Sequence, residues 1–374
     1  MISYSDSILS LELTDYCNCK CKMCTQSVQD IIHGNSKGYM DIELIKEIFT
    51  NLKNNGIKIG KLLPFGLGES TIHKDFKEIM NFIFKENRDN SIFSYLDLHT
   101  NGINFTEDLF ELFIKNSDQM GTITFSLDAA REETFAEIRG NSSFKISRKN
   151  LMDFILKRKS SGKEYPHVII QFIVMDENFN DLLPFVNFWK LFFKENNIDF
   201  QINYDWNPPM VKDTIFIKRV NPFSAMNLEA AENLHMSAIK KLGLIKENKE
   251  DRIIESDEYF RTKKAIRRPC SGPFKYMNIA WDGVLTVCCI DTERKLALGK
   301  IGEDGTLVEL WEGRLNKSYR KAHIYGDLSS IPVCQKCRNL DGPRIDNEEI
   351  VQYMKKHFMI DEIKKFRKRM DKGI

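Results

Sequence analysis

The sequence predicts an α/β fold, in which a partial, TIM-like (β/α)6 barrel is followed by a small C-terminal domain of β-hairpin and helix. Over the first two hundred residues, short apolar runs alternate six times with amphipathic stretches, which indicates a parallel sheet with right-handed crossovers. Six such units are too few for the eight of a closed barrel. An open, doubly wound sheet is the alternative, and both architectures place functional loops at the carboxyl ends of the strands.

The predicted strands are short apolar runs, and the fifth is apolar enough to be buried on both faces. They span residues 8–13, 61–65, 95–99, 122–127, 168–174 and 200–204. Helices are predicted between them, among others at residues 107–115 and 181–194, with helical segments ending near residue 160. The first helix begins after Asp41, whose carboxylate suits an N-cap, and ends near Gly56.

Beyond residue 204 the alternation stops, and the sequence predicts a division into four parts. These are a core at 1–204, a connector at 205–269 that could line a substrate cavity, a small domain at 270–345 and a basic helix at 346–374. The connector carries a predicted helix at 228–242, and the Asp282-Gly283 turn of the small domain predicts a β-hairpin. We expect the basic C-terminal helix to pack through an apolar face, with membrane or RNA contact the less favoured role.

The composition is that of an ordinary globular protein and argues against several functional classes. Lys and Arg number 55 against 53 Asp and Glu, and the net charge of +2 argues against a nucleic-acid-binding surface that covers the whole protein. No stretch approaches the roughly eighteen apolar residues of a membrane span, and residues 1–13 lack the features of a secretory signal. We therefore expect a cytoplasmic protein without a membrane partner.

The nine cysteines fall into two groups, one between Cys17 and Cys24 and one between Cys270 and Cys337. Disulfides are rare in a reducing compartment, so metal binding or redox chemistry is the better explanation for clustered cysteines. Cysteines used only as small apolar residues would be scattered through the chain. Each group is therefore a candidate metal site.

In the first group, Cys17, Cys21 and Cys24 form a Cx3Cx2C pattern on what is predicted to be the loop after the first strand. Three thiolates can bind three irons of a cubane and leave the fourth iron open for another molecule. A structural zinc would need a fourth ligand, and His33 is the only histidine nearby in sequence. Cys19 is out of register with this pattern and is treated as a non-ligand.

The segment CNCKCKMC resembles the signature loop of the radical S-adenosylmethionine (SAM) superfamily. The resemblance implies a [4Fe–4S] cluster whose open iron binds SAM, and reductive cleavage of SAM to a 5′-deoxyadenosyl radical that abstracts a substrate hydrogen. It also implies an electron donor such as flavodoxin or ferredoxin.

Further segments resemble the SAM contacts of that family, among them one after the second predicted strand and one at the end of the fourth. The resemblance places Met23 along the adenine, Gly68 and Glu69 at the methionyl ammonium, Ser126 at the methionyl or ribose part and Arg139 at the carboxylate. Ser70 stands where the family usually has proline after the Gly-Gly-Glu motif.

The second group contains Cys270, Cys288, Cys334 and Cys337 in the spacing C-x17-C-x45-C-x2-C. Four thiolates can bind zinc as well as a cubane, so the ligand set alone leaves both possible. The surrounding residues resemble the Twitch form of the SPASM domain, which implies a second, auxiliary [4Fe–4S] cluster that transfers electrons. Cys289 is an alternative to Cys288 as a ligand.

The resemblance indicates a reaction class and leaves three functions open. We expect oxidation or other modification of a small molecule such as a sugar, cyclitol or amino-sugar; radical modification of a peptide or protein side chain is the alternative. The chain begins seven residues before the first predicted strand, so no N-terminal peptide-recognition domain is expected. A zinc-binding protein without enzymatic activity is the third and remote possibility.

Other polar residues have both a functional and a structural interpretation. His73 and His99 lie near predicted strand ends and could relay protons, but a hydrogen-bonded structural role is the better expectation. The segment 205–207 (Asp-Trp-Asn) could face the substrate or form a turn. Arg267 and Arg268 could bind an anionic substrate group or lie in solvent.

Overall fold

The computed structural model describes residues 6–25, 37–204, 211–220, 228–245, 269–337, 344–357 and 359–371. Within these residues, ten strands form a single sheet in the order β10-β9-β8-β1-β2-β3-β4-β5-β7-β6. The strands are β1 (Ile8–Leu11), β2 (Ile59–Leu63), β3 (Phe93–Thr100), β4 (Met120–Ser126), β5 (His167–Val174), β6 (Phe200–Asn203), β7 (Asp213–Arg219), β8 (Tyr276–Ile279), β9 (Val284–Thr286) and β10 (Ala297–Lys300).

Thirteen α-helices accompany the sheet in the described residues. They are α1 (Ile42–Asn54), α2 (Phe76–Asn90), α3 (Glu107–Lys115), α4 (Glu132–Arg139), α5 (Phe144–Ser160), α6 (Leu182–Glu195), α7 (Leu228–Lys241), α8 (Gly272–Lys275), α9 (Leu307–Trp311), α10 (Arg314–Tyr325), α11 (Pro332–Gln335), α12 (Asn347–Lys356) and α13 (Ile360–Asp371). Asp41 caps α1 as predicted, because its side chain accepts a hydrogen bond from the Glu43 backbone N–H.

The core of the sheet is parallel from β1 through β5, with helices on the outer face, and this confirms the predicted α/β fold. The predicted elements are found with shifted bounds; the second strand, for example, is two residues earlier than expected. The carboxyl ends of these strands share one rim of the sheet, so the loops that follow β1, β2 and β4 are neighbours there. One large apolar core fills the space between the sheet and the helices.

Strand β7 lies where the sequence predicts only a connector, and that expectation is wrong. It pairs in parallel with both β5 and β6 and therefore separates them in the sheet. The apolar run of β7 is short because charged residues lie at both of its ends. Two of these charged side chains have partners within the fold. Asp213 forms a buried ion pair with Arg158, and Lys218 Nζ donates to Gln171 Oε1 at 3.4 Å.

The C-terminal cysteine region is joined directly to the barrel sheet. Strand β8 pairs in parallel with β1, and β9 returns antiparallel to β8 through the predicted turn, in which Gly283 has a φ of 90°. Only glycine adopts such a backbone without strain. The two halves of the chain thus share one sheet, a connection that the sequence does not predict.

The single C-terminal helix expected from Asp346 to Arg369 is instead two helices, α12 and α13, which pack against each other. The first ends at Lys356, and the apolar side chains of Ile350 and Met354 are buried with Phe274 in a small second core. Packing through an apolar face is as expected, while the break lies at a place where the sequence has no proline or glycine. No helix among the described residues is long and apolar enough to cross a membrane.

Candidate active site

The first cysteine loop follows β1 at the carboxyl rim and is held by the end of helix α4. The backbone N–H groups of Lys20 and Lys22 donate to the carbonyl oxygens of Arg139 (2.9 Å) and Ile138 (2.8 Å). The last carbonyls of a helix have no partner within the helix, so the loop satisfies them. Gly140 ends α4 with a φ of 60°, and a Cβ there would lie only 3.0 Å from Lys20.

The three predicted ligands of this loop are half-buried, whereas Cys19 is buried between them. The Cys19 thiol hydrogen-bonds with the sulfurs of Cys17 and Cys21. These hydrogen bonds are the largest cause of a lowered pKa at both residues, and the pKa of Cys21 falls to about 7. Asn101 Nδ2 in turn lies 3.6 Å from the Cys19 sulfur. Cys19 therefore lies within hydrogen-bond reach of two candidate ligands, a contact that its spacing does not reveal.

Glu69 is buried after β2, and its carboxylate is the centre of a dense hydrogen-bond network. Thr71 Oγ1 (2.7 Å) and Thr100 Oγ1 (2.8 Å) donate to one oxygen, and the Asn101 backbone N–H (2.7 Å) donates to the other. Burial nevertheless raises the pKa of Glu69 above its ordinary value. A nearby cation would therefore stabilise the ionised form of this carboxylate.

Gly68 precedes Glu69 and packs directly on the cysteine loop. A Cβ at this position would lie 2.2 Å from the carbonyl oxygen of Thr14 and 2.5 Å from that of Tyr16. The Glu69 backbone N–H also donates to the Tyr16 carbonyl at 2.8 Å. The glycine therefore permits a close backbone approach that ties the second strand-end loop to the first.

Arg139 is buried beside the cysteine loop and pairs with Asp128, the buried residue that follows β4. Its Nη1 lies 3.6 Å from the Cys21 sulfur, while its Nε is buried without a hydrogen-bond partner in the described residues. Asp128 has a φ of 59°, and its second carboxylate oxygen accepts from the Ile173 N–H at 2.7 Å. A guanidinium held this way has one unused donor, which suits an anionic ligand group.

Ser126 and Met23, the other two predicted SAM contacts, lie close to the same rim. Ser126 ends β4, and its hydroxyl accepts a hydrogen bond from Gln171 Nε2 at 3.1 Å. Met23 is 8% exposed and belongs to the main apolar core.

The residues at this rim fit a [4Fe–4S] cluster with SAM. The Glu69 charge acts on Cys17 and the Arg139 charge acts on Cys21, so the two polar groups flank the candidate ligands. The unused Nε of Arg139 and the buried Glu69 carboxylate can receive the carboxylate and the ammonium of an amino acid. Three thiols, one cation and one anion are the groups that such a cofactor pair requires.

The second group of cysteines gathers around the β8–β9 hairpin and the short helix α11. Cys270 precedes α8, and the Gly272 N–H lies 3.4 Å from its sulfur. Cys334 and Cys337 share one turn at α11, where the Cys337 N–H donates to the Cys334 carbonyl at 3.2 Å. The charges of Cys270 and Cys337 both act on Cys289, so these separate segments approach one another. No three cysteine, histidine or acidic side chains among the described residues are close enough together to hold a metal ion as they stand.

Cys288 and Cys289 both lie within this region. Burial raises the pKa of Cys288, with the charges of Cys289 and Cys270 adding to it. Desolvation of the thiol, with contributions from Cys270 and Cys337, raises the pKa of Cys289 to about 11, although the residue as a whole keeps much of its surface exposed. Cys288 is half-buried against the apolar core, and Cys289 is exposed.

The two histidines differ in their contacts. The ring of His73 accepts from the Asp75 N–H (3.0 Å) and contacts the Met40 carbonyl (3.1 Å), which is the structural role expected for it. His99 stacks on Phe65 at 4.3 Å, and burial followed by the charges of two lysines lowers its pKa to about 3. Residues 205–207, Arg267 and Arg268 lie outside the described residues.

Comparison with known proteins identifies the family of this chain. Residues 11–188 match the model of the radical SAM superfamily, and residues 270–338 match that of the SPASM iron–sulfur cluster-binding domain. The chain belongs to the radical SAM superfamily. Its cofactors are SAM and a [4Fe–4S] cluster, with auxiliary iron–sulfur chemistry in the C-terminal domain, and this confirms the predicted cofactors over zinc.

A curated protein from Pyrococcus furiosus, described as a tungsten-containing aldehyde ferredoxin oxidoreductase cofactor-modifying protein, is 23% identical over 177 residues. That match covers 46% of this radical SAM chain and 45% of the relative, so the chain spans about half of that protein's length.

Solved structures share the fold of this radical SAM enzyme at low sequence identity. BtrN in complex with AdoMet and 2-DOIA has a TM-score of 0.50 and 14% identity, with 90% of this chain and 94% of that chain covered. Native anSMEcpe with bound AdoMet has a TM-score of 0.55 and 19% identity, with 89% and 86% covered. SuiB of Streptococcus suis, bound to the precursor peptide SuiA, has a TM-score of 0.52 and 15% identity, with 84% and 66% covered.

Proposed function

We propose that Cys17, Cys21 and Cys24 bind the catalytic cluster of this radical SAM enzyme, and that Glu69 and Arg139 bind SAM. The observation that carries this proposal is the position of Arg139, which touches a candidate ligand through Nη1 and has its buried Nε unused. The cluster, when bound, supplies the electron that cleaves SAM.

The roles of the protein residues follow from their contacts. Glu69 holds the ammonium of SAM, because its buried carboxylate lacks a cation among its present partners. Arg139 holds the SAM carboxylate through Nε, while Asp128 fixes the orientation of its guanidinium. Gly68 allows the close approach of the loop, and Met23 and Ser126 keep the adenine and the methionyl or ribose roles predicted for them.

Reductive cleavage tests the proposal directly. Anaerobically reconstituted protein with dithionite and SAM should release 5′-deoxyadenosine and methionine, and Cys24→Ala should release neither because the cluster loses a ligand. Glu69→Gln keeps the shape of the side chain but not its charge, so SAM should bind at least tenfold more weakly. A metal-replete wild-type protein that releases no 5′-deoxyadenosine with any reductant would refute the assignment.

For the C-terminal domain we propose one auxiliary [4Fe–4S] cluster bound by Cys270, Cys288, Cys334 and Cys337. Cys288→Ser should lower the iron content from about eight to about four per chain, whereas Cys289→Ser should leave about eight. The opposite result would make Cys289 the ligand. Replacement of Cys334 and Cys337 by alanine should abolish turnover but spare SAM cleavage if this cluster transfers electrons during substrate oxidation.

We propose a small polar molecule, such as a sugar, cyclitol or amino-sugar, as the substrate. Coverage supports this choice, because the chain accounts for 94% of BtrN, which was solved with 2-DOIA, but for 66% of SuiB, which was solved with a peptide. Peptide modification is the second candidate, since anSMEcpe with a bound peptide is covered to 86%. Substrate-dependent formation of 5′-deoxyadenosine, measured on panels of each class, distinguishes the two.

Three other predictions are carried forward as proposals: flavodoxin or ferredoxin as electron donor, a cytoplasmic location, and the division of the chain at residues 269 and 345. Reduction of the cluster by purified flavodoxin, followed by electron paramagnetic resonance, tests the first. Failure of both donors to reduce it would contradict that choice.

A further inference from the structure

Glu12 is a buried carboxylate between the barrel rim and the C-terminal domain, and none of the roles above uses it. It follows β1 directly and is 7% exposed. Its backbone N–H donates to the Ile279 carbonyl of β8 at 2.9 Å, so the residue lies where the two parts of the shared sheet meet. A buried carboxylate at such a junction needs specific partners.

One oxygen of Glu12 contacts the loop that leads to Glu69. Oε2 accepts a hydrogen bond from the Leu67 N–H at 3.0 Å. The same side chain leaves room only for glycine at position 66, because a Cβ on Gly66 would lie 2.6 Å from both Glu12 Cβ and Oε2. Glu12 therefore sets the path of the chain immediately before Gly68 and Glu69.

The other oxygen of Glu12 faces the C-terminal domain. Oε1 has no partner with good hydrogen-bond geometry in the described part of the chain and lies 3.9 Å from Arg294 Nη2. The Trp281 backbone N–H is near enough to lower the pKa of Glu12 somewhat. Arg294 is anchored by Asp282 of the hairpin turn, which accepts from its Nη1 at 2.6 Å, yet its Nε and Nη2 are buried without partners. A small side-chain rotation would bring Glu12 Oε1 and Arg294 Nη2 into hydrogen-bond contact, which would give a partner to one buried acceptor and one buried donor.

The backbone of Arg294 is also unusual. Its φ of 55° is in the left-handed region that residues other than glycine rarely adopt. Such a conformation persists only where surrounding contacts hold it, and it is common at positions with a functional constraint. The side chain is thus presented to Glu12 at the expense of local backbone strain.

We propose that Glu12 is a positioning residue that couples the SAM-binding loop to the auxiliary-cluster domain through Leu67 on one side and Arg294 on the other. This inference rests on the proposed SAM site. SAM binding at Glu69 fixes the loop, the loop fixes the Glu12 carboxylate, and the carboxylate fixes Arg294 and the hairpin turn. The two cluster domains then hold one relative position when SAM is bound.

Hydrogen exchange tests this coupling without a substrate. The oxidised, cluster-loaded protein is compared with and without saturating SAM in the segments 66–69 and 281–296. The pH is 8, because burial raises the pKa of Glu12 to about 7 and the carboxylate is ionised above that value. In the wild type, SAM should slow exchange of both segments by at least roughly threefold. In Glu12→Gln, which keeps an acceptor for Leu67 but loses the charge that faces Arg294, SAM should slow exchange only in segment 66–69.

A matched control and a second variant complete the experiment. Glu303→Gln makes the same substitution in an exposed ion pair with Lys300 of the same domain and should behave as the wild type. Arg294→Gln tests the link from its other end, should Glu12→Gln not fold. Equal protection of segment 281–296 in the wild type and either variant, or its absence in the wild type, overturns the coupling. Absence of SAM protection in both wild-type segments overturns the proposed SAM site itself.

Discussion

The buried ion pair between Arg158 of α5 and Asp213 of β7 should be among the most sensitive points of the fold. Both side chains are almost fully buried, at 4% and 3% exposure, and Arg158 Nη1 lies 2.8 Å from Asp213 Oδ1. Asp213 also accepts from the Val168 N–H at 2.7 Å, and Arg158 donates to the Pro166 carbonyl. Asp213→Leu therefore leaves a buried guanidinium without its counter-charge, which should lower the free energy of unfolding by about 3–5 kcal/mol.

A double-mutant cycle separates the pair from its surroundings. Arg158→Met should destabilise by a similar amount, because it leaves the Asp213 carboxylate buried and unpaired, whereas the double variant should be more stable than either single one. The exposed pair Lys149–Asp153 on the same helix is the control, and Asp153→Leu should change the free energy by less than about 0.5 kcal/mol. Urea unfolding of the cluster-loaded protein, followed anaerobically by circular dichroism, gives these values. Single variants that match the exposed control, or a double variant that equals the sum of the singles, would refute the reasoning.

Two further predictions concern the rim. Gly68→Ala should weaken SAM binding at least tenfold, since its Cβ would lie within 2.5 Å of two carbonyl oxygens of the cysteine loop, while Gly56→Ala, whose Cβ meets nothing within 4 Å, should leave SAM affinity unchanged. Burial raises the pKa of Glu12 from 4.5 to about 7 against the opposing effect of Arg294, with Asp15 adding to the rise. The stability that this proton provides is full below pH 4.5 and lost as the pH rises through 7, by up to about 3 kcal/mol. Glu12→Gln should lack this dependence. If the difference between the unfolding free energies of the two proteins is the same at pH 5 and at pH 8, the prediction is contradicted.

The site could be predicted from the sequence to the extent that its chemistry is local. Cys17, Cys21 and Cys24 lie within one short loop, so their spacing alone indicates which groups can share a cluster. Arg139 is distant in sequence and was assigned only through the family resemblance, and its pairing with Asp128 is a tertiary contact. Cys19 marks what spacing cannot show. The spacing excludes it as a ligand, and nothing local indicates that its thiol hydrogen-bonds with Cys17 and Cys21.

The fold follows the same division between local and distant interactions. Strands with continuous apolar runs, such as β5, were predicted correctly because burial on both faces needs only apolar side chains. Strand β7 was not, because Asp213 and Lys218 are charged and become compatible with burial only through Arg158 and Gln171, which are distant in sequence. The parallel pairing of β8 with β1 also joins residues more than 250 positions apart, which no local pattern encodes.

The distribution of charge at the rim explains why a cationic cofactor suits this site. Three buried carboxylates, Glu12, Glu69 and Asp128, lie on loops after β1, β2 and β4. The buried Arg139 pairs with Asp128, and the partly buried Arg294 lies near Glu12. Burial raises the pKa of Glu12 and of Glu69 despite their hydrogen bonds, so additional positive charge nearby would stabilise their ionised forms. SAM brings an ammonium and a sulfonium together with one carboxylate. In the proposed site its ammonium would stabilise the ionised Glu69, and its carboxylate would accept from the unused donor of Arg139. A neutral ligand of the same shape would make neither of these charged contacts.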